Sequence, residues 1–406
     1  MPVPAFTAQL PDADGAAAVA PARRIRVAEV LTGLVLGGVG RIMTGIARHV
    51  DRSRFHVDFY CVIERGVMAD ELEALGFNVT VLPACDYQRL FQYRAGEMLR
   101  LVRLLKQRNY DVVHTHLFQA DLLGRAAAHL AGVPGVVKTL HNMGRSKTRW
   151  QRAADRVLGR WTQWVICVSE HQRQEALRHE PLPPERVIVI PNGVDVGRFS
   201  PRVDRRAELA RRGLAGEGPV VGTVGRLIEE KGQIHFLRAI PLVLQRHPAA
   251  RFVIVGDGPL RGRLEGFLDD KPYRDRVRIT GLRQDVPELL SLMDVFVFPS
   301  LSEGFPIAPI EAMAARRPVA GSRIPQLDGV VVDGQTGLSF PPGDTAAMAE
   351  SICRLLGDTA LCDRLSRKAF ELVRDRYSER RMVQELELVY ERLAAGAGAS
   401  PSGWRH

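Results

Sequence analysis

Short apolar runs alternate with amphipathic stretches along nearly the whole chain. The runs are rich in Val and Ile, which is typical of strands that are buried on both faces. The stretches between them place apolar residues at the three- and four-residue spacing of a helix with one buried face. Because strand and helix alternate regularly, the pattern predicts an α/β protein with parallel sheets.

Two such series follow one another. Strands are predicted at 25–31, 57–63, 79–82, 112–114, 136–139, 165–168 and 187–190, and then at 220–224, 251–255, 277–280, 295–298 and 318–320. Helices are predicted between them, notably at 40–49, 95–107, 117–131, 233–247, 259–268, 286–293, 309–315 and 346–356, and 359–377 and 379–394 follow. The polar stretch 201–218 predicts a linker. We therefore expect two doubly wound domains, 23–200 and 201–377, a helix at 378–394, and tails at 1–22 and 395–406.

Composition favours a globular protein of the cytoplasm. Of 406 residues, 46% are hydrophobic and 25% are charged, which is ordinary for a soluble protein. No apolar run has the length of a membrane span, and residues 1–22 lack the features of a signal peptide. The five cysteines are scattered without a CxxC pair, which indicates reduced thiols.

The charge of the chain favours anionic partners. The formal net charge is +10, which suits nucleotide diphosphates, lipid phosphates, an anionic membrane surface or nucleic acid. Nucleic acid is not expected, because the sequence has no zinc finger, aromatic RNA-binding pattern or long basic block. Three basic stretches, 86–94, 99–106 and 145–150, also carry aromatic or apolar residues. They are either solvated faces of packed elements or contacts to a membrane surface.

Two glutamates flank a predicted strand-to-helix turn. Glu303 follows the apolar run Val295–Phe298, and Glu311 comes eight residues later, just past Pro309, a residue that favours the first turn of a helix. Open α/β sheets bind ligands at such turns. The helix N-terminus suits a phosphate, and carboxylates suit sugar hydroxyls. The segment therefore predicts a nucleotide-sugar site.

A second loop adds cations to this prediction. Residues 225–232 follow the first strand of the second domain and contain Arg226 and Lys231. A planar guanidinium and a compact ammonium suit a diphosphate, although a solvated basic loop would have the same composition. This loop and the Glu303 turn both follow strands of one parallel sheet, so we expect them at one edge, which favours a phosphate clamp.

The first domain begins with a strand and a glycine-rich loop, 33–40. The loop contains Gly38 and Gly40 but lacks the complete dinucleotide-binding pattern, because Met43 stands three residues past Gly40. Together with Glu64 as a ribose acid, it would make an NAD site. A glycine-rich loop that faces a cleft between the domains is the favoured interpretation.

Other predicted strand ends carry glycine or histidine. Gly256 and Gly281 follow neighbouring strands, where they either allow a ligand to approach the backbone or form simple turns. His114 and His116 end one first-domain strand, and His141 follows the next. Zinc is not expected, because no acidic or cysteine partner lies at ligand spacing. We expect His141 to be functional, through donation to a phosphate or an acceptor hydroxyl.

Taken together, these motifs resemble the retaining glycosyltransferases of family 4. The resemblance rests on the loop with Arg226 and Lys231, the turn 255–259, the pair Glu303 and Glu311, PNGVD at 191–195, the glycine-rich first loop and DVVHTH at 111–116. It extends over residues 24–392. It implies a GT-B fold, in which two Rossmann-like domains face a central cleft and the helix near 379–393 crosses back onto the first domain.

The resemblance also implies roles for the site residues. Arg226 and Lys231 would hold the donor diphosphate and stabilise the leaving group, Glu311 would bind the ribose, Glu303 would bind the transferred sugar, and His141 would lie near that sugar. The backbone around the donor would be that of Gly304, Phe305, Pro306 and Ile307, with Gly256 and Gly281, and the acceptor side would be Gly38, Gly40 and His116. The pair Pro306-Ile307 departs from the Gly-Leu of many members.

The implied reaction moves a hexose-type sugar from a nucleotide diphosphate to an acceptor hydroxyl with retention, in polysaccharide or glycolipid synthesis. No cofactor or metal would be needed, because the two cations neutralise the leaving group. The acceptor would be lipid-linked or a saccharide, and the protein would be cytoplasmic, with peripheral contact to the inner face of the membrane. A nucleotide-sugar epimerase of similar architecture and an NAD-dependent oxidoreductase are the alternatives. The sequence determines neither the donor base nor the sugar.

Overall fold

The computed structural model describes residues 23–35, 37–84, 94–141, 148–179, 182–199, 204–214 and 216–396. Within these ranges the chain forms two parallel sheets, each packed against helices. The terminal stretches 1–22 and 397–406 lie outside the described residues, as do most of the basic stretches that were predicted at 86–94 and 145–150.

The first sheet has seven strands in the order β3-β2-β1-β4-β5-β6-β7. Its strands are β1 Ile25–Leu31, β2 Phe55–Cys61, β3 Asn78–Val81, β4 Val112–His116, β5 Gly135–Leu140, β6 Trp164–Cys167 and β7 Val187–Val189. The helices of this half are α1 Gly38–His49, α2 Ala69–Ala74, α3 Ala95–Gln107, α4 Phe118–Ala131, α5 Arg149–Leu158 and α6 Glu170–His179.

The second sheet has six strands in the order β10-β9-β8-β11-β12-β13. Its strands are β8 Val220–Val224, β9 Arg251–Val255, β10 Val277–Ile279, β11 Val295–Phe298, β12 Val319–Ser322 and β13 Leu338–Phe340. The helices of this half are α7 Arg205–Arg211, α8 Gln233–Arg246, α9 Arg261–Leu268, α10 Val286–Leu292, α11 Ile307–Ala314, α12 Thr345–Gly357 and α13 Thr359–Arg376, and α14 Glu379–Ala394 follows.

The apolar pattern predicts these strands well, and all of the predicted strands are confirmed. The short strand β13 is an addition. The interpretation of 201–218 as a polar linker is wrong over α7, which begins at its cap Asp204. Leu209 and Leu214 in this stretch are buried in the core of the second domain, so packing fixes a helix that composition alone does not predict.

The two closing helices belong to different domains. Apolar residues of α13, including Val373, pack into the core of the second sheet, whereas those of α14, including Leu386 and Tyr390, pack into the core of the first. Burial of each such side chain stabilises the contact by roughly 1.5–3 kcal/mol. The last helix therefore crosses back onto the first domain.

The chain passes between the domains twice, and the two crossings run side by side. The Val194 N–H donates to the carbonyl oxygen of Tyr377 over 2.8 Å, and the Glu379 N–H donates to that of Val194 over 3.0 Å. A Cβ on Gly193 would lie 2.5 Å from the carbonyl oxygen of Ser378, so only glycine lets the two backbones approach so closely. The PNGVD motif thus serves this crossing.

Among the described residues, no helix combines the length and apolarity that a membrane crossing requires. Strand β11 of the second sheet is wholly apolar, and all four of its residues are buried. The first sheet also buries polar side chains, among them Glu29 in the middle of β1, whose side chain is 0% exposed. A buried carboxylate needs several hydrogen-bond partners, and these partners define part of the site described next.

Candidate active site

The two predicted donor loops lie against each other at one edge of the second sheet. Their strands, β8 and β11, are direct neighbours. The Leu301 N–H donates to the carbonyl oxygen of Glu230 over 2.7 Å. Gly232 has a φ of 62°, and a Cβ there would lie 2.2 Å from the carbonyl oxygen of Pro299. Glycine at this position allows the Arg226–Lys231 loop to touch the loop that carries Glu303.

Lys231 and Glu303 form an ion pair across these loops. The Nζ atom of Lys231 lies 2.7 Å from both carboxylate oxygens of Glu303. The Glu303 side chain is 7% exposed and that of Lys231 is 22% exposed. A cation assigned to a diphosphate and a carboxylate assigned to a sugar therefore satisfy each other here, which keeps a partly buried charge pair compensated.

Arg226 is exposed beside this pair. Its carbonyl oxygen accepts a 2.9 Å hydrogen bond from Nε2 of Gln233, which holds the backbone of the loop. No described residue forms an ion pair or a side-chain hydrogen bond with its guanidinium. The group is thus available to an anionic ligand at the edge of the sheet.

Glu311 lies in the second turn of α11 and is buried. Its carboxylate forms an ion pair with Arg41 of α1, so this contact joins the two domains. Burial raises the pKa of Glu311, and the charges of Arg41 and Arg198 counteract that shift. Sequence analysis missed Arg41, although its position directly after the glycine-rich loop was a usable signal.

The glycine-rich loop of the first domain meets the donor loop at one point. A Cβ on Gly38 would lie 3.2 Å from Cδ1 of Ile307, so the loop and α11 are in contact across the cleft. Gly40 faces its own domain instead. A Cβ there would lie 2.5 Å from Sδ of Met68 and 2.5 Å from the carbonyl oxygen of Val35. Gly40 therefore allows close packing within the first domain, and its place on the acceptor side stays a prediction.

The remaining predicted donor residues lie around the same edge. The Gly256 N–H donates to the carbonyl oxygen of Gly281 over 3.0 Å, which joins the ends of β9 and β10. Phe305 is partly buried and packs against Tyr377, with 6.3 Å between the ring centroids. Gly304 and Pro306 complete the turn, and Pro306 is buried.

Behind the first-domain side of the cleft lies a buried chain of hydrogen bonds. Nε2 of His116 lies 2.7 Å from Oε2 of Glu29, and Nδ1 of His116 lies 2.9 Å from Nε2 of His141. His116 is 1% exposed. The ring lies in the core because β4 continues through this residue, and the place of His116 on the acceptor side stays a prediction.

The second arm of this network comes from the crossing helix α14. The Tyr390 hydroxyl donates to Oε1 of Glu29 over 2.7 Å and also lies 2.8 Å from Nδ1 of His114. The other nitrogen of His114 lies 2.7 Å from Oγ1 of Thr139. His114 is thus an interior residue of β4 with both ring nitrogens hydrogen-bonded.

Electrostatics within the network are set by burial. Burial acts to raise the pKa of Glu29, but its interactions with His114 and His116 outweigh burial and hold this pKa well below its usual value. Burial lowers the pKa of His116 to about 4 and lowers that of His141 strongly as well. At neutral pH Glu29 is therefore ionised, and the rings of His116 and His141 are neutral.

Glu29, His114 and His116 also form a group of the kind that can hold a metal ion. Their ligand atoms lie within 4.8 Å of one another. Glu29 comes from another strand and so does not lie at ligand spacing in the sequence, and the expectation that no metal is bound stays a prediction. The atoms of this group already hydrogen-bond to protein side chains, as described above, so an ion would have to break those bonds.

Family models match both halves of the chain. Residues 36–198 match the model of Glycosyltransferase Family 4, and residues 218–358 match the model of Glycosyl transferases group 1. The matches together include the glycine-rich loop, the histidines, the cation loop and the glutamate pair.

Curated relatives and solved structures agree with these models. The chain is 30% identical over 351 residues to a UDP-Gal:alpha-D-GlcNAc-diphosphoundecaprenol alpha-1,3-galactosyltransferase of Escherichia coli, which covers 83% of this chain and 89% of the relative. It is 30% identical over 321 residues to the alpha-D-kanosaminyltransferase of Streptomyces kanamyceticus, covering 73% and 82%.

Among solved structures, Anabaena HepE in complex with UDP-glucose matches with a TM-score of 0.77 and 22% identity, over 92% of this chain and 100% of that one. The sucrose-phosphate synthase of Thermosynechococcus elongatus matches with a TM-score of 0.73 and 22% identity, over 92% and 100%. These comparisons do not support the epimerase or the oxidoreductase. With a fold of two facing Rossmann-like domains and a relative of this identity and coverage, the chain belongs to glycosyltransferase family 4.

Proposed function

We propose that this glycosyltransferase moves a hexose from a nucleoside diphosphate sugar to the hydroxyl of a lipid-linked or saccharide acceptor, with retention of the anomeric configuration. The observation that carries the proposal is the meeting of Arg226, Lys231 and Glu303 at one sheet edge, with Glu311 at the start of the following helix. Cations for a diphosphate and carboxylates for hydroxyls stand side by side, which is the chemistry of a nucleotide-sugar.

Donor binding would exchange the partners of this site. Lys231 would leave Glu303 for the diphosphate, and Glu303 would then accept from hydroxyls of the sugar. Glu311 would accept from the ribose hydroxyls. A cation 4 Å from a phosphate charge gains ~4 kcal/mol of Coulomb energy at an effective dielectric constant of ~20. That gain offsets the loss of the internal pair.

In the proposed reaction the bond between the anomeric carbon and the diphosphate oxygen breaks, and a bond to the acceptor oxygen forms on the same face of the sugar. The acceptor proton passes to the departing phosphate oxygen. Arg226 and Lys231 stabilise the charge that develops on this oxygen. Retention follows from attack on the face that the leaving group departs from.

The two cations are proposed to make a divalent metal unnecessary. Transfer measured in the presence of EDTA should match transfer without it. A requirement for Mg²⁺ or Mn²⁺ that no other ion satisfies would contradict this part of the proposal.

The acceptor and pathway are proposed from a relative. The name of the Escherichia coli relative specifies a sugar diphosphoundecaprenol, and an acceptor of that kind sits in a membrane. In this chain α3 exposes Arg100, Arg103 and Lys106, with Leu99 53% exposed among them. A basic face with an exposed leucine suits an anionic surface. We therefore propose synthesis of a cell-surface polysaccharide or glycolipid at the inner face of the membrane.

A donor panel tests the function. The protein is incubated with UDP-, GDP- and ADP-hexoses, with and without a polyprenyl-diphosphate-linked sugar, and products are read by NMR of the anomeric proton. We expect one donor to raise the melting temperature by mass action and to yield an α-linked product. A β-linked product would overturn retention, and conversion of the donor without any acceptor would favour an epimerase.

Vesicle flotation tests the membrane contact. The wild-type protein should float with vesicles that contain anionic lipid and stay behind with neutral ones. The double variant Arg100→Gln/Arg103→Gln should lose most of this binding, at roughly 1 kcal/mol per cation. If the variant floats as well as the wild-type protein, α3 does not contact the membrane. The matched control is Arg246→Gln, because Arg246 forms an exposed ion pair with Glu350 away from α3.

A further inference from the structure

The starting point is the one carboxylate at the centre of strand β1. Glu29 is fully buried, and its described hydrogen-bond partners are the side chains of Tyr390 and His116, while Nδ1 of His114 lies 3.3 Å from Oε2 of Glu29. An ionised carboxylate only accepts hydrogen bonds. Tyr390 and His116 must therefore each turn a hydrogen toward Glu29.

This requirement fixes the donor and the acceptor of each hydrogen bond from Glu29 through His116 to His141. Nε2 of His116 carries the hydrogen that is donated to Glu29, so the neutral ring has an unprotonated Nδ1. That Nδ1 can only accept, and its partner over 2.9 Å is Nε2 of His141. His141 must then carry its hydrogen on Nε2, which leaves Nδ1 of His141 unprotonated. No described residue hydrogen-bonds to this Nδ1.

We propose that Glu29, acting through His116, is a positioning residue that holds His141 in one tautomer, so that its Nδ1 accepts a hydrogen bond from a substrate hydroxyl in the cleft. The tautomer itself follows from the hydrogen-bond chain, whereas the identity of the hydroxyl rests on the proposed function. This differs from the role expected from sequence, which was donation to a phosphate or an acceptor hydroxyl. A neutral His141 of this tautomer accepts from a hydroxyl and does not donate to a phosphate.

The crossing helix α14 contributes a side chain to the same hydrogen-bond network. Tyr390 donates to Oε1 of Glu29, while His116 binds Oε2, so the carboxylate is held at both oxygens. Side chains of β1, β4 and α14 thus orient a residue that follows β5. An imidazole fixed in this way needs no reorganisation when the substrate arrives.

The tautomer is measured directly by two-bond ¹H–¹⁵N NMR of ¹⁵N-histidine-labelled full-length protein at pH 7.5. Loss of one ring spectrum in His141→Gln assigns His141. We expect the pattern of a neutral ring protonated on Nε2 in the wild-type protein. A ring protonated on Nδ1, or a charged ring, would overturn the proposal, and this result is read on the wild-type protein without substrate.

Two variants test the hydrogen-bond connection from Glu29 through His116 to His141. Glu29→Gln keeps the size of the side chain but adds an amide donor, and His116→Phe removes the link. In a variant that unfolds cooperatively in urea, we expect mixed tautomers of His141 and a kcat lower by about tenfold, the range of one hydrogen bond. An unchanged Nε2–H tautomer in both folded variants would contradict the proposal. His129→Gln, outside the network where His129 stacks on Trp161, should change neither quantity.

The outcome separates this inference from the proposed function. A His141 ring protonated on Nε2, in a protein that turns over none of the nucleotide-sugars, would overturn the proposed function and support the role of Glu29 and His116. Turnover of a nucleotide-sugar by a protein whose His141 ring is protonated on Nδ1 would support the function and overturn that role.

Discussion

Arg41 and Glu311 form an ion pair that joins helices of different domains. Glu311 is the more deeply buried partner, and burial raises its pKa. A carboxylate in this position depends on its cation, because an unpaired buried charge is costly. The residue to which we assign ribose binding is thus also a contact between domains.

Removal of Arg41 should destabilise the protein. We expect Arg41→Met to lower the free energy of unfolding by about 1–3 kcal/mol, because Glu311 keeps its desolvation cost without the pairing. Urea unfolding gives this number. The double variant Arg41→Met/Glu311→Gln is the control and should recover part of the loss, since a neutral amide replaces the unpaired charge. Additive effects of the two substitutions would contradict the coupling.

Lys231 should be needed for turnover more than for folding. We expect Lys231→Met to lower kcat/KM by roughly ten- to a hundredfold, the effect of losing one charge-assisted hydrogen bond in the transition state. Steady-state rates with the donor identified by the panel measure this. The matched control is Arg246→Met, whose guanidinium pairs with Glu350 on the exposed surface. Equal rates of Lys231→Met and this control would remove Lys231 from the site.

At the scale of elements, α14 contributes both packing and chemistry. Its apolar face fills the core of the first sheet, and its Tyr390 reaches the carboxylate in β1. Burial and the adjacent Glu29 raise the pKa of Tyr390, so the hydroxyl stays protonated and can donate. The first domain therefore depends for its packing and its buried hydrogen bonds on a helix that follows the second domain in sequence.

Loss of the Tyr390 hydroxyl should show this dependence. We expect Tyr390→Phe to lower the free energy of unfolding by about 1.5–3 kcal/mol, because a hydrogen bond to a buried charge is lost while the ring still packs. Chemical denaturation followed by far-UV circular dichroism measures the change. Leu388, on the exposed side of the same helix, provides a control, and Leu388→Ala should cost little. A loss no larger than that of the control would contradict the assigned role.

At the scale of the whole molecule, the buried network makes stability depend on pH. The folded pKa of His116 is about 4, against an ordinary value of 6.5. Between these values the unfolded chain binds a proton that the folded chain does not, so stability falls as pH falls from 6.5 toward 4. His141 acts in the same direction, whereas Glu311, whose pKa is raised, acts in the opposite one.

We expect the free energy of unfolding to be lower at pH 5 than at pH 7 by about 2 kcal/mol from His116 alone. Urea unfolding at the two pH values tests this. His116→Phe should flatten the dependence, because the titrating group is gone. A pH dependence that is the same in the wild-type protein and in His116→Phe would contradict a neutral His116 in the folded state.

Much of the fold was predictable, because short stretches of sequence determine it. Apolar runs predict the strands, and the alternation of strands and helices predicts the doubly wound architecture. The meeting of the loops that carry Lys231 and Glu303 was predictable from the rules of parallel sheets. Parallel strands end at one edge, so loops that are 70 residues or more apart, such as those of Lys231 and Glu303, meet without further information.

The sequence by itself determined the family, the parallel architecture and the meeting of Lys231 and Glu303 at one edge of the second sheet, because local pattern and the rules of parallel sheets decide these. Only the tertiary structure determined which other side chains these and the buried residues contact. Arg41 reaches Glu311 across the cleft, and Glu29, His116 and Tyr390 meet from β1, β4 and α14. One signal for the network was visible in advance, since Glu29 interrupts an apolar strand. Its partners were not, because they depend on how helices and strands distant in sequence pack in three dimensions.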